Sequence, residues 1–164
     1  MKKTIIILLL VSLLFSSCES DDICDSTTPT TPQLVIEFFN DVTNASANVN
    51  KLKIQDSETS SLLGTFDVSK IKIPLKTDSN ISKYSFTLNS DTPAVSNLDQ
   101  LEFDCNRNTF FISRACGYKT NYVLNNTTTI LVKESSNVTE WIKRIIVTKP
   151  NILNEDETHI KIYF

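Results

Sequence analysis

Glycine is nearly absent: the 164 residues contain two, Gly64 and Gly117. A dinucleotide-binding G-x-G-x-x-G turn or a phosphate-cradling P-loop needs several glycines at fixed spacing, so neither can be written in this chain. Histidine is scarcer still, with His159 alone, and no C-x-x-C pair occurs. Together these absences leave no ligand set for zinc. A Ser-His-Asp or Cys-His arrangement would have to recruit that one imidazole, and no nucleophile elbow accompanies it. An apolar run long enough to cross a bilayer as a helix, about 20 residues, is also missing. The longest runs from Ile5 to Phe15 and is interrupted by Ser12.

That short run is nevertheless the clearest signal present. Lys2 and Lys3 precede it, and Ser16, Ser17 and Cys18 follow it. A positive n-region, a short apolar h-region and small residues before a cysteine form a bacterial lipoprotein signal. Phe15 and Ser17 stand where Leu and Gly or Ala are usual; ordinary cleavage near Ser17 is the alternative. On the lipoprotein reading, the Cys18 thiol carries a diacylglycerol and its amine a further acyl chain. Two or more chains hold a protein stably at a membrane. The expected organisation is a signal peptide over 1–17, a lipidated acidic and Thr/Pro tether over 18–32, and one folded domain over 33–164.

The leader holds two of the 16 Lys+Arg and none of the 19 Asp+Glu, so the remaining 147 residues carry a formal charge of −5. A nucleic-acid binder would show a basic stripe instead, so no nucleic-acid partner is expected. Behind Cys18 stand Glu19, Asp21 and Asp22, then Asp25 to Pro32 (D-S-T-T-P-T-T-P) without an apolar residue. Such a stretch is extended and partly polyproline-like. From Gln33 onward the pattern is short strands. Leu34–Phe39, Val49–Ile54, Lys70–Leu75, Lys83–Leu88, Leu101–Phe103, Phe110–Ile112, Tyr122–Leu124, Thr129–Lys133, Ile145–Thr148 and Ile160–Phe164 are alternating or β-branched runs between Asn, Asp, Ser and Thr clusters. Val138, Trp141, Ile142, Ile145 and Ile146 fall at helical spacing, yet Ile145 to Thr148 is β-branched throughout, which favours a strand from about Trp141. The fold class is therefore all-β, a single antiparallel β-sandwich-like domain of roughly 8–10 short strands. A membrane-spanning barrel is disfavoured, because its strands need about 9–11 residues each.

With Cys18 lipidated, Cys24, Cys105 and Cys116 remain in an oxidising envelope. Asn106 to Thr109 reads as a hairpin turn, which puts Cys116 about six residues up the return strand from Cys105. At ~3.3 Å per residue the two are about 20 Å apart, beyond the ~7 Å limit for a disulfide. Cys24 is then the common partner of either. Six residues from Cys18 to Cys24 reach at most ~20 Å, so a bridge at Cys24 holds the domain close to the membrane.

Catalytic chemistry finds little footing. His159 alternates with Lys161 and Tyr163 on the last strand, opposite Ile160 and Ile162, and reads as structural. Asn154 to Glu157 could offer oxygens to calcium but lacks the glycine and ligand spacing of an EF-hand. A carboxylate pair such as Glu155 and Asp156 would point to opposite sides of an extended segment. A carbohydrate- or peptide-binding face would have to draw on Tyr84, Phe86, Tyr118, Tyr122 and Trp141, most of which read as core.

Cys18 to Pro32, Ile73-Pro74-Leu75-Lys76, Ser113 to Lys119 (S-R-A-C-G-Y-K), Trp141-Ile142-Lys143 and Asn154 to Phe164 (N-E-D-E-T-H-I-K-I-Y-F) occur in that order. In these motifs the chain resembles the domain of unknown function 6452 family, small lipoproteins of Bacteroidota, over essentially its whole mature length. The resemblance implies a lipoprotein and supplies no activity, no catalytic residue and no ligand residue. It also implies a pairing: cysteines matching Cys24 and Cys116 are characteristic of the family and Cys105 is not. The expected bridge is thus Cys24–Cys116, with Cys105 a buried thiol. The sequence as a whole predicts a non-enzymatic binding or interaction role at the outer membrane. The protein would be anchored through the Cys18 lipid, with an envelope protein as its partner and no metal or cofactor. A surface carbohydrate- or peptide-binding sandwich is the alternative.

Overall fold

Apolar and polar residues alternate along most strands of the computed structural model, which describes residues 23–125, 130–132 and 140–164. In β4 (Lys70–Ile73), Ile71 and Ile73 are buried and both lysines are exposed. The strand stops at Pro74, which has no N–H to give to a ladder. Four of the six residues of β1 (Leu34–Phe39) are buried, as befits a strand inside a sheet. β2 (Leu52–Asp56), β3 (Leu62–Phe66), β5 (Ile81–Leu88), β6 (Asn97–Ser113), β7 (Gly117–Leu124), β8 (Ile130–Val132), β9 (Arg144–Val147), β10 (Asn151–Ile152) and β11 (Ile160–Tyr163) complete the set. No helix occurs among the described residues.

These strands form two sheets, one ordered β4-β1-β11-β9 and one ordered β10-β7-β6-β5-β2-β3, with β8 pairing β6. The described residues fall into two compact units. One comprises the described part of Met1–Thr30 with Phe110–Lys119; the other comprises Thr31–Thr109 with Thr120–Phe164. The larger unit holds the core, in which Leu34, Ile36 and Phe38 of one sheet meet Ile54, Phe86, Leu101 and Phe103 of the other. The fold is an all-β sandwich.

Three expectations change in detail. Asn106–Thr109 is not a turn, and the runs near 101–103 and 110–112 belong to one 17-residue strand, β6. Arg107 donates to the Asn80 side chain and the Thr77 carbonyl, and the Thr109 and Thr120 hydroxyls meet at 3.0 Å. These partners hold the polar stretch extended. The turn instead falls over Arg114–Cys116, before Gly117 at φ +70°. Second, the β1–β11 pair is parallel, with Ile36 opposite Ile160 and Phe38 opposite Ile162, where an antiparallel domain was expected. Third, β9 starts at Arg144 rather than Trp141. The Ile142 N–H is held by Asp99 Oδ2 at 2.8 Å and the Trp141 indole N–H by the Phe86 carbonyl at 3.2 Å, so this backbone is committed elsewhere.

Buried polar groups are used to pin strands. The hydroxyls of Tyr84 and Tyr122 donate to the neighbouring carbonyls of Pro74 (2.6 Å) and Leu75 (3.2 Å). Burial pushes the Tyr84 hydroxyl up to about 12. His159 stands directly before β11 and is buried. Its Nδ1 accepts the Val35 N–H at 2.9 Å, while its own backbone N–H donates to the Val35 carbonyl at 3.0 Å. An imidazolium has no acceptor nitrogen, so protonating His159 breaks the first of these bonds.

Burial lowers the His159 pKa from its ordinary value of 6.5, against the upward pull of Glu157 and Glu155. Below that ordinary value the unfolded chain binds more protons than the folded one. The contribution is therefore complete above about pH 6.5 and is lost as pH falls through the lowered folded value. Chemical denaturation should show stability declining across that window, with the slope reduced in His159→Asn, whose side-chain oxygen is a proton-insensitive acceptor. At neutral pH, His159→Ala should cost about 1–3 kcal/mol, the usual penalty for orphaning a buried N–H. A pH slope unchanged by both substitutions would place the titration elsewhere.

Candidate functional site

The smaller unit is built on the loop between β6 and β7, reading F-F-I-S-R-A-C-G-Y-K from Phe110 to Lys119. Ser113 Oγ accepts the Cys116 N–H at 3.0 Å, closing the turn. Gly117 supplies the positive φ that an L side chain rarely adopts. Cys116 is bonded to Cys24, with Cα atoms 4.9 Å apart and 92 residues between them in sequence. Around Cys24 the chain is shaped by Asp25, whose Oδ1 accepts from both the N–H and the hydroxyl of Thr27 at 2.7 Å. Those bonds, the backbone one first, hold the Asp25 carboxyl below the usual carboxylate range.

What this tip presents to solvent is apolar. Ile23 is 80% exposed, Tyr118 70%, Phe111 59%, Phe110 43% and Ile112 38%. Successive strand residues face opposite ways, so Phe110 and Ile112 share one face while Phe111 takes the other. Phe111 meets Tyr118 edge to face, with ring centroids 5.4 Å apart. Neither face is therefore the polar side of a half-buried sheet. Among the described residues of this unit, Arg114 and Lys119 are set against a single carboxylate, Asp25. An exposed apolar cluster of this kind marks an interaction surface.

The groups with chemical potential elsewhere are engaged in structure. Cys105 is a free, buried thiol whose pKa burial pushes up to about 12, so it carries almost no thiolate at neutral pH. Glu155 accepts the Gln33 N–H at 2.8 Å and pairs with Lys72 at 2.9 Å, and Lys72 above all holds its carboxyl below the usual range. Glu157 pairs with Lys149 at 3.2 Å, and the Asp156 N–H donates to Asn154 Oδ1 at 3.1 Å. Among the described residues no group of three His, Cys, Asp or Glu side chains could hold a metal ion.

Of the five aromatics weighed for a ligand face, Tyr84, Phe86, Tyr122 and Trp141 are buried and only Tyr118 is exposed. Cys24 and Cys116 are brought together as expected. Cys18 and the 1–17 leader lie outside the described residues. Sequence reasoning did not select Phe110, Phe111, Ile112 and Ile23 as exposed, because an apolar strand run normally signals core. The usable sign was that Phe110-Phe111-Ile112 runs straight into the cysteine-bearing turn.

Residues 40–164 match the family of unknown function DUF6452. The chain belongs to this family. No curated protein and no solved structure matches it. The DUF6452 match includes Cys116 and the Phe110–Lys119 loop but begins after Ile23 and Cys24, so the bridge rests on the structure and not on the matched span.

The cysteine arrangement yields a direct expectation. With Cys18 replaced by Ala, the native protein should resist maleimide at neutral pH, and denaturation without reductant should release one reactive thiol, that of Cys105. Two further reactive thiols in that state would disprove the bridge. Replacing both partners, Cys24→Ser with Cys116→Ser, opens a loop that closes 92 residues. It should lower the unfolding free energy by up to about 4.6 kcal/mol on a chain-entropy basis.

Proposed function

We propose that the protein is a lipoprotein anchored to the outer membrane through Cys18, with a non-enzymatic binding role whose contact surface is the disulfide-closed tip. The observation that carries this reading is the joining of an exposed aromatic cluster to a cysteine six residues from the anchor. A fold that needed those side chains would have buried them. The engagement of His159, Glu155 and Glu157 in hydrogen bonds and ion pairs, with the burial of the Cys105 thiol, supports a binding rather than a catalytic role. An envelope partner protein would be met by a module tethered in this way. A surface carbohydrate- or peptide-binding role has the Phe111–Tyr118 ring pair in its favour, but lacks the broader aromatic platform, since the other candidates are core.

Fractionation and protease shaving of intact cells expressing wild type and Cys18→Ala tests the reading. Wild type should sediment with the outer membrane and Cys18→Ala should not be retained there. Identical fractionation of the two would refute the anchor. Cleavage of the wild type from outside would orient the binding surface toward the environment, and protection would orient it toward the periplasm.

A further inference from the structure

Resting on that anchored reading, we infer that the occupant of the tip is the lipid bilayer surface itself. Phe110, Phe111, Ile112, Tyr118 and Ile23 enter the zone between headgroups and acyl chains as a second attachment point beside the Cys18 lipid. Three observations converge on this.

The first is reach. The chain outside the described residues between the anchor and Ile23 is four residues long, and Cys18 to Cys24 spans at most ~20 Å fully extended. Cys24 is covalently joined to Cys116 in the middle of the turn. Whatever the rest of the molecule does, Cys116 stays within about 25 Å of the Cys18 anchor, the ~20 Å of extended chain plus the 4.9 Å between the bridged Cα atoms. The tip's effective concentration at the surface is thus high before any contact energy is counted.

The second is the distribution of apolar surface. A protein groove would take one face of the hairpin, yet Phe110 and Ile112 are exposed on one side and Phe111 with Tyr118 on the other. A bilayer surrounds an inserted tip on all sides, and so accepts a wedge with two apolar faces. The third is residue type. Tyrosine is favoured at the membrane–water interface, where an apolar ring and a polar hydroxyl each find their medium. The disulfide and the Ser113–Cys116 hydrogen bond hold the tip in shape in advance, which reduces the ordering cost of docking.

The test uses the lipidated full-length mature protein, purified from its membranes and reconstituted in phosphatidylethanolamine/phosphatidylglycerol vesicles. Phe111→Trp and, independently, Tyr118→Trp place a reporter on the tip at exposed positions that the core does not use. The native Trp141 is buried and supplies a constant background to subtract from wild type. The expected result is a blue-shifted reporter, shielded from aqueous acrylamide and quenched more by lipids doxyl-labelled near the headgroup than by those labelled deep in the chain. A reporter open to acrylamide and untouched by doxyl lipid, on protein that still floats with the vesicles, overturns the inference and leaves the anchor standing. A reporter that becomes shielded only when envelope proteins are added overturns it in favour of a protein occupant. Failure to float at all removes the anchored reading and this inference together.

Discussion

The parallel pairing of β1 with β11 is the constraint on which the larger unit depends. These two strands, the first and last in chain order, lie side by side at the centre of their sheet, with β4 and β9 outside them. Ile36, Phe38, Ile160 and Ile162 are fully buried there. Their register is fixed at one end by the reciprocal bonds between Val35 and His159. At the other, the Phe164 N–H donates to the Phe39 carbonyl at 3.0 Å. The exposed ends of the pair are covered by cations over rings, Lys161 over Phe39 and Arg144 over Tyr163. Because residues 160–163 fill the centre and not an edge, this sheet is incomplete until they dock. Its closure entropy is that of nearly the whole domain, a cost typical of topologies dominated by non-local pairing.

The segment leading into β9 then couples the two sheets. Trp141 packs against Phe38 and Phe164 while its indole N–H reaches the Phe86 carbonyl in the other sheet. One residue on, Asp99 of β6 takes the Ile142 N–H, and the Lys143 N–H donates to the Tyr163 carbonyl at 2.8 Å. Three consecutive residues thus bind both layers through side-chain and main-chain bonds. A carboxylate as buried as Asp99 is tolerated because it is hydrogen-bonded.

This coupling also marks where sequence reading stops. Period-2 alternation identified β4 and β5 because each strand has one wet and one dry face, which local pattern records. It misplaced the start of β9, since the backbone of Trp141 and Ile142 is claimed by Asp99 and Phe86, more than forty residues away. It missed β3, whose Leu-Leu-Gly-Thr-Phe is largely an exposed edge, and it split β6 at a polar run that Asn80 and Thr120 hold extended. The parallel partnership of β1 and β11 left no mark in either strand, since a parallel and an antiparallel centre strand are equally apolar. The bridge between Cys24 and Cys116 was legible through family resemblance, whereas the spacing argument excluded a Cys105–Cys116 pair from a turn that is not there. At the candidate surface the same rule that finds cores concealed the site, because Phe110-Phe111-Ile112 looks like any buried strand until its neighbours are known.

The tip and the sandwich answer to opposite requirements. In the sandwich, the large side chains of the strand centres, such as Phe38, Phe86 and Phe103, are covered, and the exposed apolar residues, among them Val42, Leu62, Val95 and Leu153, are scattered along the chain. The buried His159 and Asp99 are hydrogen-bonded, while Asn121 Oδ1 has no partner among the described residues. In the tip, apolar residues are uncovered on both faces of a strand pair, an arrangement that invites association with whatever apolar phase is nearest. A free-floating protein with such a tip would meet other copies of itself. Under the proposed anchoring at Cys18, the acyl chains would lie six residues from the cysteine that is bridged to this turn, the membrane would be met first, and the proximity that makes the exposure tolerable would also make it useful. On that proposal the bridge between Cys24 and Cys116, besides stapling the fold, is a means of transmitting position: it would make the stretch from Cys18 to Cys24 a short link between the lipid and one defined turn. The length of that link, rather than any feature of the core, would then set which part of the molecule faces the bilayer.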